Sequence, residues 1–343
     1  MAGQPARVVR IQVGNFGNGK FPKALWLLLV IPFVIVIFVV LAVLGVLAPT
    51  FYSVGRAIKE SDRTTGGGTV SKKEADNSFA TKALDFGSEG IGPGMFNDGR
   101  SIAVDATGRI YVGEYTGGRI QVFDADGKFV TQWSIGDRKT LLRGFAADRK
   151  GNVYAVHNGI IERYKGETGE KLGQLEYDKT GFDDVTISAD GGLVTVSHNN
   201  RDDIVKFDAN GKVTQTIPAA ISSASGDSEL SMRVAVDGAG YTYALGHFNN
   251  GVFKFTSDGK FMTRFGDAGD KPGQFRAPLS IAVDGYGRVY VGDMKGIQVF
   301  DSSGRYIALI KLKGAPFGMT FNDKNELFVI ARDHVVKFAV PAP

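Results

Sequence analysis

The sequence predicts an all-β fold, a ring of six four-stranded blades, preceded by a single transmembrane α-helix. Three observations predict it. Apolar and polar residues alternate with a period of two through most of the chain, as in Ile102/Val104, Ile110/Val112, Ile120/Val122 and Phe129/Thr131, which sets one face of a strand against a core. An Asp followed three residues later by Gly recurs every few tens of residues. A long uncharged apolar run stands at 24–48.

Composition narrows the chemistry before any motif is read. The 343 residues are 43% hydrophobic and 22% charged, an ordinary globular balance, and 46 glycines suit a turn-rich β protein. Cysteine is absent, which removes disulfides and thiolate metal or redox sites. From Phe79 onward 31 basic residues face 32 acidic ones, so the excess of positive charge behind the net +4 lies in the first 78 residues. A near-neutral domain gives no electrostatic footprint for nucleic acid.

Residues 1–23 read as a cytoplasmic tail. Its alternating Val9, Ile11 and Val13 have the pattern of a strand that could be added to a partner. The run 24–48, ALWLLLVIPFVIVIFVVLAVLGVLA, reads as a transmembrane helix and signal anchor, because a helix of that length covers a bilayer core of about 30 Å and exceeds the h-region of a cleaved signal peptide. Pro32 is a tolerable kink in lipid, and Trp26 and Tyr52 suit the two interfaces. Arg7, Arg10, Lys20 and Lys23 precede the helix without an acidic residue, whereas Arg56, Lys59 and Arg63 follow it mixed with Glu60 and Asp62. Positive-inside then predicts a single-pass protein with its N-terminus in the cytoplasm and the remainder outside. Residues 49–78 read as a juxtamembrane segment and a Gly/Ser/Thr-rich linker.

Residues 79–343 carry the repeats. The first anchor, at the end of each first strand, is Asp105/Gly108, Asp148/Gly151, Asp237/Gly240 and Asp284/Gly287, with Ala189/Gly192 and Asn322/Asn325 as degenerate copies. A second anchor, Asp126-Gly127-Lys128, recurs at Asn210-Gly211-Lys212, Asp258-Gly259-Lys260 and Ser303-Gly304-Arg305 as a hairpin turn. Each unit is a four-stranded antiparallel meander, and the sixth lacks its fourth strand. Thr81–Phe86, which precedes the first complete unit, is predicted to supply it and so close the ring and remove its open edges.

The segments MFNDGRSIAVDATGRIYVGEYTGGRIQVFDADGKFV and GQFRAPLSIAVDGYGRVYVGDMKGIQVFDSSGRYI resemble NHL repeats, and the resemblance covers Phe79 to the end. It implies a six-bladed NHL-type β-propeller, the same count that the turns reach by themselves.

The short turns share one face of such a ring, and the long irregular connections (87–100, 134–143, 218–232 and 266–278) share the other. Function tends to sit on long loops held by a rigid scaffold, so the second face is the candidate. Five residues before each first anchor stand Arg100, Arg143, Asp184, Met232, Leu279 and Phe317, with Asp183 and Arg233 adjacent. Arg100, Arg143, Asp183, Asp184 and Arg233 are therefore the candidate ligand-binding residues at the channel mouth. The arginines could hold a carboxylate or phosphate, or an Arg100/Asp184-type ion pair could satisfy itself. His157, His198 and His247 share a slot at the ends of second strands with Glu114 and Asp293. Those ends are too far apart between blades for one zinc ion, so a turn-stabilising role is expected and no metal is assigned.

No cofactor and no catalytic residue is assigned. NHL-type lyases place zinc-binding histidines at first-strand starts, which are lacking here, and lactonases of this architecture use a ring of acidic and amide ligands around calcium that Asp183 and Asp184 alone do not complete. The expectation is a non-enzymatic, membrane-tethered protein- or ligand-binding scaffold outside the cytoplasm, with a protein partner or membrane complex and no nucleic acid. The alternative is a propeller enzyme of lyase or lactonase/hydrolase type with its site at the channel mouth.

Overall fold

The structure is a computed structural model that describes residues 79–198 and 201–343. These residues form six four-stranded antiparallel sheets arranged as the blades of a β-propeller. Blade one runs Gly99–Val104, Ile110–Glu114, Arg119–Phe123 and Phe129–Ser134 from the channel outward. Blades two to five repeat this order from Leu142–Ala147, Phe182–Ile187, Met232–Val236 and Ser280–Val283. Blade six takes three strands from Gly318–Phe321, Glu326–Ile330 and Val335–Ala339, and its outermost strand is Thr81–Phe86, paired antiparallel with Val335–Ala339. The two ends of the domain thus share a sheet.

The burial pattern follows from this packing. Each second strand of blades one, three, four and five is buried along its whole length, because both its faces lie against neighbouring blades. The outer strands alternate exposed and half-buried residues. Tyr111 of blade one shows how the blades interlock. Its ring lies where a side chain on Gly166 of blade two would stand, 2.6 Å from the position a Cβ there would take. Trp133 donates its Nε1–H to the Gly166 carbonyl at 2.8 Å.

All six first turns close with a backbone bond from the fourth residue to the first, from Gly108 to Asp105 in blade one and from Asn325 to Asn322 in blade six. Gly108 holds φ 84° and Asn325 φ 59°, the left-handed region that explains these two residue types. The Asp105 carboxylate accepts from Thr107 N and Arg109 N at 2.8 and 3.1 Å and from the Tyr111 hydroxyl at 2.8 Å. In blade three the turn is Ser188 to Gly191, one residue earlier than the spacing Ala189/Gly192 suggests. Asp183, rather than Asp184, therefore takes the ring position matching Arg100 and Arg143.

The expectation of a propeller preceded by a transmembrane helix is corrected to the propeller alone. Among the described residues no helix is long and apolar enough to cross a membrane. The helix found there, Ser222–Ser225, has four residues and rises about 6 Å. The run 24–48 lies outside the described residues, as do the tail and linker. The signal anchor, the single-pass topology, the membrane as partner and the location outside the cytoplasm all rested on that run, and none is carried forward.

Candidate functional site

At the long-loop end of the channel, the first strands of blades one, two and three each begin with a β-bulge. Gly99 and Ser101 pair with Glu114 and Gly113, leaving Arg100 as the extra residue; Arg143 and Asp183 are the extra residues of the next two blades. A bulge re-aims the side chain it inserts, which accounts for three charged residues at one register on adjacent blades. Blade four has no such shift between Met232 and Val236.

Asp183 is buried between Arg143 and His198. Its Oδ1 lies 2.8 Å from Arg143 Nη1 and 2.9 Å from His198 Nδ1. The His198 contact is close but lacks the alignment of a hydrogen bond, for Nδ1 has no hydrogen-bond partner among the described residues. Burial raises the Asp183 carboxyl above the usual range, against the lowering effects of His198 and Arg143. Asp184, on the adjacent residue, accepts from Val234 N at 3.1 Å and lies 3.9 Å from Arg233 Nη1. Burial pushes its carboxyl up to about 6 despite that guanidinium. Arg233 is tied to the backbone instead, donating to the Arg143 carbonyl at 2.7 Å and the Leu279 carbonyl at 3.3 Å.

Arg100 does not pair with Asp184. Its Nε donates to Asp98 at 2.9 Å, and its guanidinium lies over the rings of Tyr115 and Phe317, 4.1 and 5.3 Å from their centroids. His247, near Arg233, is held neutral: burial, reinforced by the Arg233 charge, lowers it to about 3.

Two cavities meet at Asp184. A small one of about 50 Å³ on the mouth side is also lined by Arg100, Arg233, Ser280 and Phe317. A larger one of about 630 Å³ fills the channel and reaches the short-turn rim at Asp105, Asp148 and Asp237. The greater volume is thus on the face that the loop lengths disfavoured. Two of the long connections are structural rather than free. In 87–100 and 266–278 the same loop recurs, with Gln121 and Gln298 accepting from Gly94 N and Gly273 N, and with Phe96 and Phe275 buried.

The histidine slot separates into cases. Glu114 grips Arg119 and Asn97 N, and Asp293 grips Arg276 N and Lys295 N, so both tie loops. His157 contacts Glu162, away from the channel. His198 contacts the candidate site residue Asp183, and His247 lies near Arg233; the Asp183 contact was legible in principle, since hairpin register places Ser197 opposite Phe182. Asp98 and Tyr115, the partners of Arg100, gave no sequence signal. No group of three or more His, Asp or Glu side chains among the described residues is placed to hold a metal ion.

Fold and site define a six-bladed propeller with a charged, two-sided channel. No family model matches the chain, and no curated protein matches it. The solved structures similar to it include a gluconolactonase from Xanthomonas campestris, at 15% identity and TM-score 0.56, covering 76% of this chain and 99% of that one. A streptogramin B lyase is similar at 12% identity and TM-score 0.56, covering 78% and 100%. The WD40 propeller domain of Doa1 is similar at 11% identity and TM-score 0.52, covering 76% and 97%. Likeness at this identity shows the fold. The narrower NHL-type reading is corrected on the same findings: without a family match, what stands is the six-bladed propeller.

Proposed function

We propose that this protein is a propeller enzyme of lactonase or lyase type, opening a carbon–oxygen bond of a small substrate at the junction of mouth and channel. The observation that carries the reading is Asp184, a carboxylate lining both cavities, raised to about 6 and set 3.9 Å from Arg233. A carboxylate so raised is a stronger base than a solvated one, and enzymes tune acids and bases toward working pH by such burial. In this scheme Asp184 takes a proton from water or from a substrate carbon. Arg233 faces the negative charge that develops on oxygen, and His198, held beside Asp183, gives a proton to the leaving oxygen.

The reading replaces the expectation of a non-enzymatic scaffold built around a protein partner or membrane complex. Support comes from the titratable pairs gathered at the mouth and from two similar folds whose names are those of a lactonase and a lyase. A divalent metal does not fit these residues. Asp183 is engaged by Arg143 and His198, Asp184 has a guanidinium beside it, and no third ligand converges among the described residues. No step is therefore routed through a metal.

The test is turnover of a panel of lactones, followed by acid release and by product mass, which separates added water from elimination. The expected result is catalysis whose kcat/KM falls on the acid side of about pH 6, where Asp184 takes up its proton, and which is reduced about 10²-fold or more in Asp184→Asn and in His198→Gln. Absence of turnover across the panel, or rates unchanged in both variants, refutes it.

A further inference from the structure

We infer that the substrate of this site carries a carboxylate, received by the part-exposed guanidinium forks of Arg100 and Arg143. The inference rests on the proposed function for the word substrate, and on the following geometry for the carboxylate. A guanidinium has five N–H donors in a planar fork. Among the described residues Arg100 spends one on Asp98, through Nε, and Arg143 spends one on Asp183, through Nη1. Among the described residues their remaining donors have no partner, yet both side chains stay about a third exposed, at 34% and 37%.

Neither side chain is a loose surface arginine. Arg100 is fixed between the rings of Tyr115 and Phe317, and Arg143 is fixed by the buried Asp183 carboxylate. Both are the inserted residues of bulges on neighbouring blades, so both leave the sheet at the same level of the mouth. Held cations with unfilled planar donors match a planar two-oxygen anion, which they bind by charge-assisted bonds without first paying to order the side chains. Arg233 differs, because its donors are already directed at the carbonyls of Arg143 and Leu279. The self-satisfying ion pair is thus met only in part: each arginine has a carboxylate partner that fills one edge and leaves another open.

The experiment is direct binding to the full chain, by calorimetry or ligand-observed NMR, of phenylacetate, phenylacetamide and phenyl phosphate, independent of any turnover. Phenylacetate should bind about 10-fold or more tightly than the amide, the scale of one charge-assisted pair. Arg100→Lys and Arg143→Lys, which keep the charge and lose the fork, should each weaken phenylacetate several-fold, and Arg100→Gln with Arg143→Gln should abolish the preference. Phenyl phosphate binding more tightly than phenylacetate reassigns the anion and overturns the carboxylate assignment. Equal binding of acid and amide, or a preference that survives in the double variant, overturns the site. Lactone turnover indifferent to a substrate carboxylate defeats this inference and leaves the proposed function standing; carboxylate binding without turnover does the reverse.

Discussion

Replacing Asp184 by Asn should stabilise the protein, and by an amount that depends on pH. Its carboxyl is raised from 3.8 to about 6 by burial, against the pull of Arg233. At 1.36 kcal/mol per unit, that shift is a cost of about 3 kcal/mol for keeping the charge in the folded state. The sign follows from proton binding. Between pH 3.8 and about 6 the folded state holds a proton that the unfolded state has released, so wild-type stability falls as pH rises through that window and stays reduced above it. The amide of Asn is never charged and still presents an oxygen to Val234 N, which lies 3.1 Å from the carboxylate it replaces. Asp183 titrates in both proteins, so its contribution largely cancels in the difference. Asp184→Asn should therefore match the wild type near pH 4 and exceed it by up to about 3 kcal/mol above pH 7. In a domain of this size that is a rise of roughly 6–12 °C in Tm. Thermal melts of both proteins at steps between these values read it directly. A stability difference that does not grow with pH refutes the buried, costly carboxylate, and with it the argument that Asp184 is kept for chemistry at the expense of stability.

Three further outcomes test the scaffold. Asp105→Ala should lower stability by roughly 3 kcal/mol or more, because the buried Tyr111 hydroxyl and two turn N–H groups lose their acceptor; urea unfolding measures it, and adding Tyr111→Phe should recover part of the loss. Gly113→Ala should cost about 1–3 kcal/mol, since a Cβ there would stand 2.3 Å from the Phe145 ring and 2.5 Å from Leu142, and a denaturation midpoint unchanged from wild type would contradict that packing. Deleting Thr81–Phe86 should expose the edge of Val335–Ala339 and shift the protein to larger oligomers or aggregate, relative to the full chain, on size-exclusion chromatography. An elution volume and Tm unchanged from the full chain would show that the ring does not close there.

The sequence by itself determined the scaffold. Period-two patterning, Asp and Gly at fixed offsets and a missing last strand are local properties, and local hydrogen bonds enforce them: Asp105 binds its own turn, and Thr81–Phe86 has the one vacant edge to fill. Strand phase put Arg100, Arg143, Asp183, Asp184 and Arg233 at the starts of first strands, and the pairing register has them there. Their partners were not legible. Whether Arg100 meets Asp184, or Asp98 and two aromatic rings, depends on three bulges and on a one-residue shift of the turn at Ser188, which spacing alone does not reveal. The role of His198 also waited on tertiary structure, because a histidine at a strand end becomes part of a site only when its neighbouring strand sets a buried carboxylate against it. The raised carboxyl of Asp184 belongs to the packed ring: burial against Gly144 of blade two and Val234 of blade four produces it, and no short stretch of sequence encodes that burial.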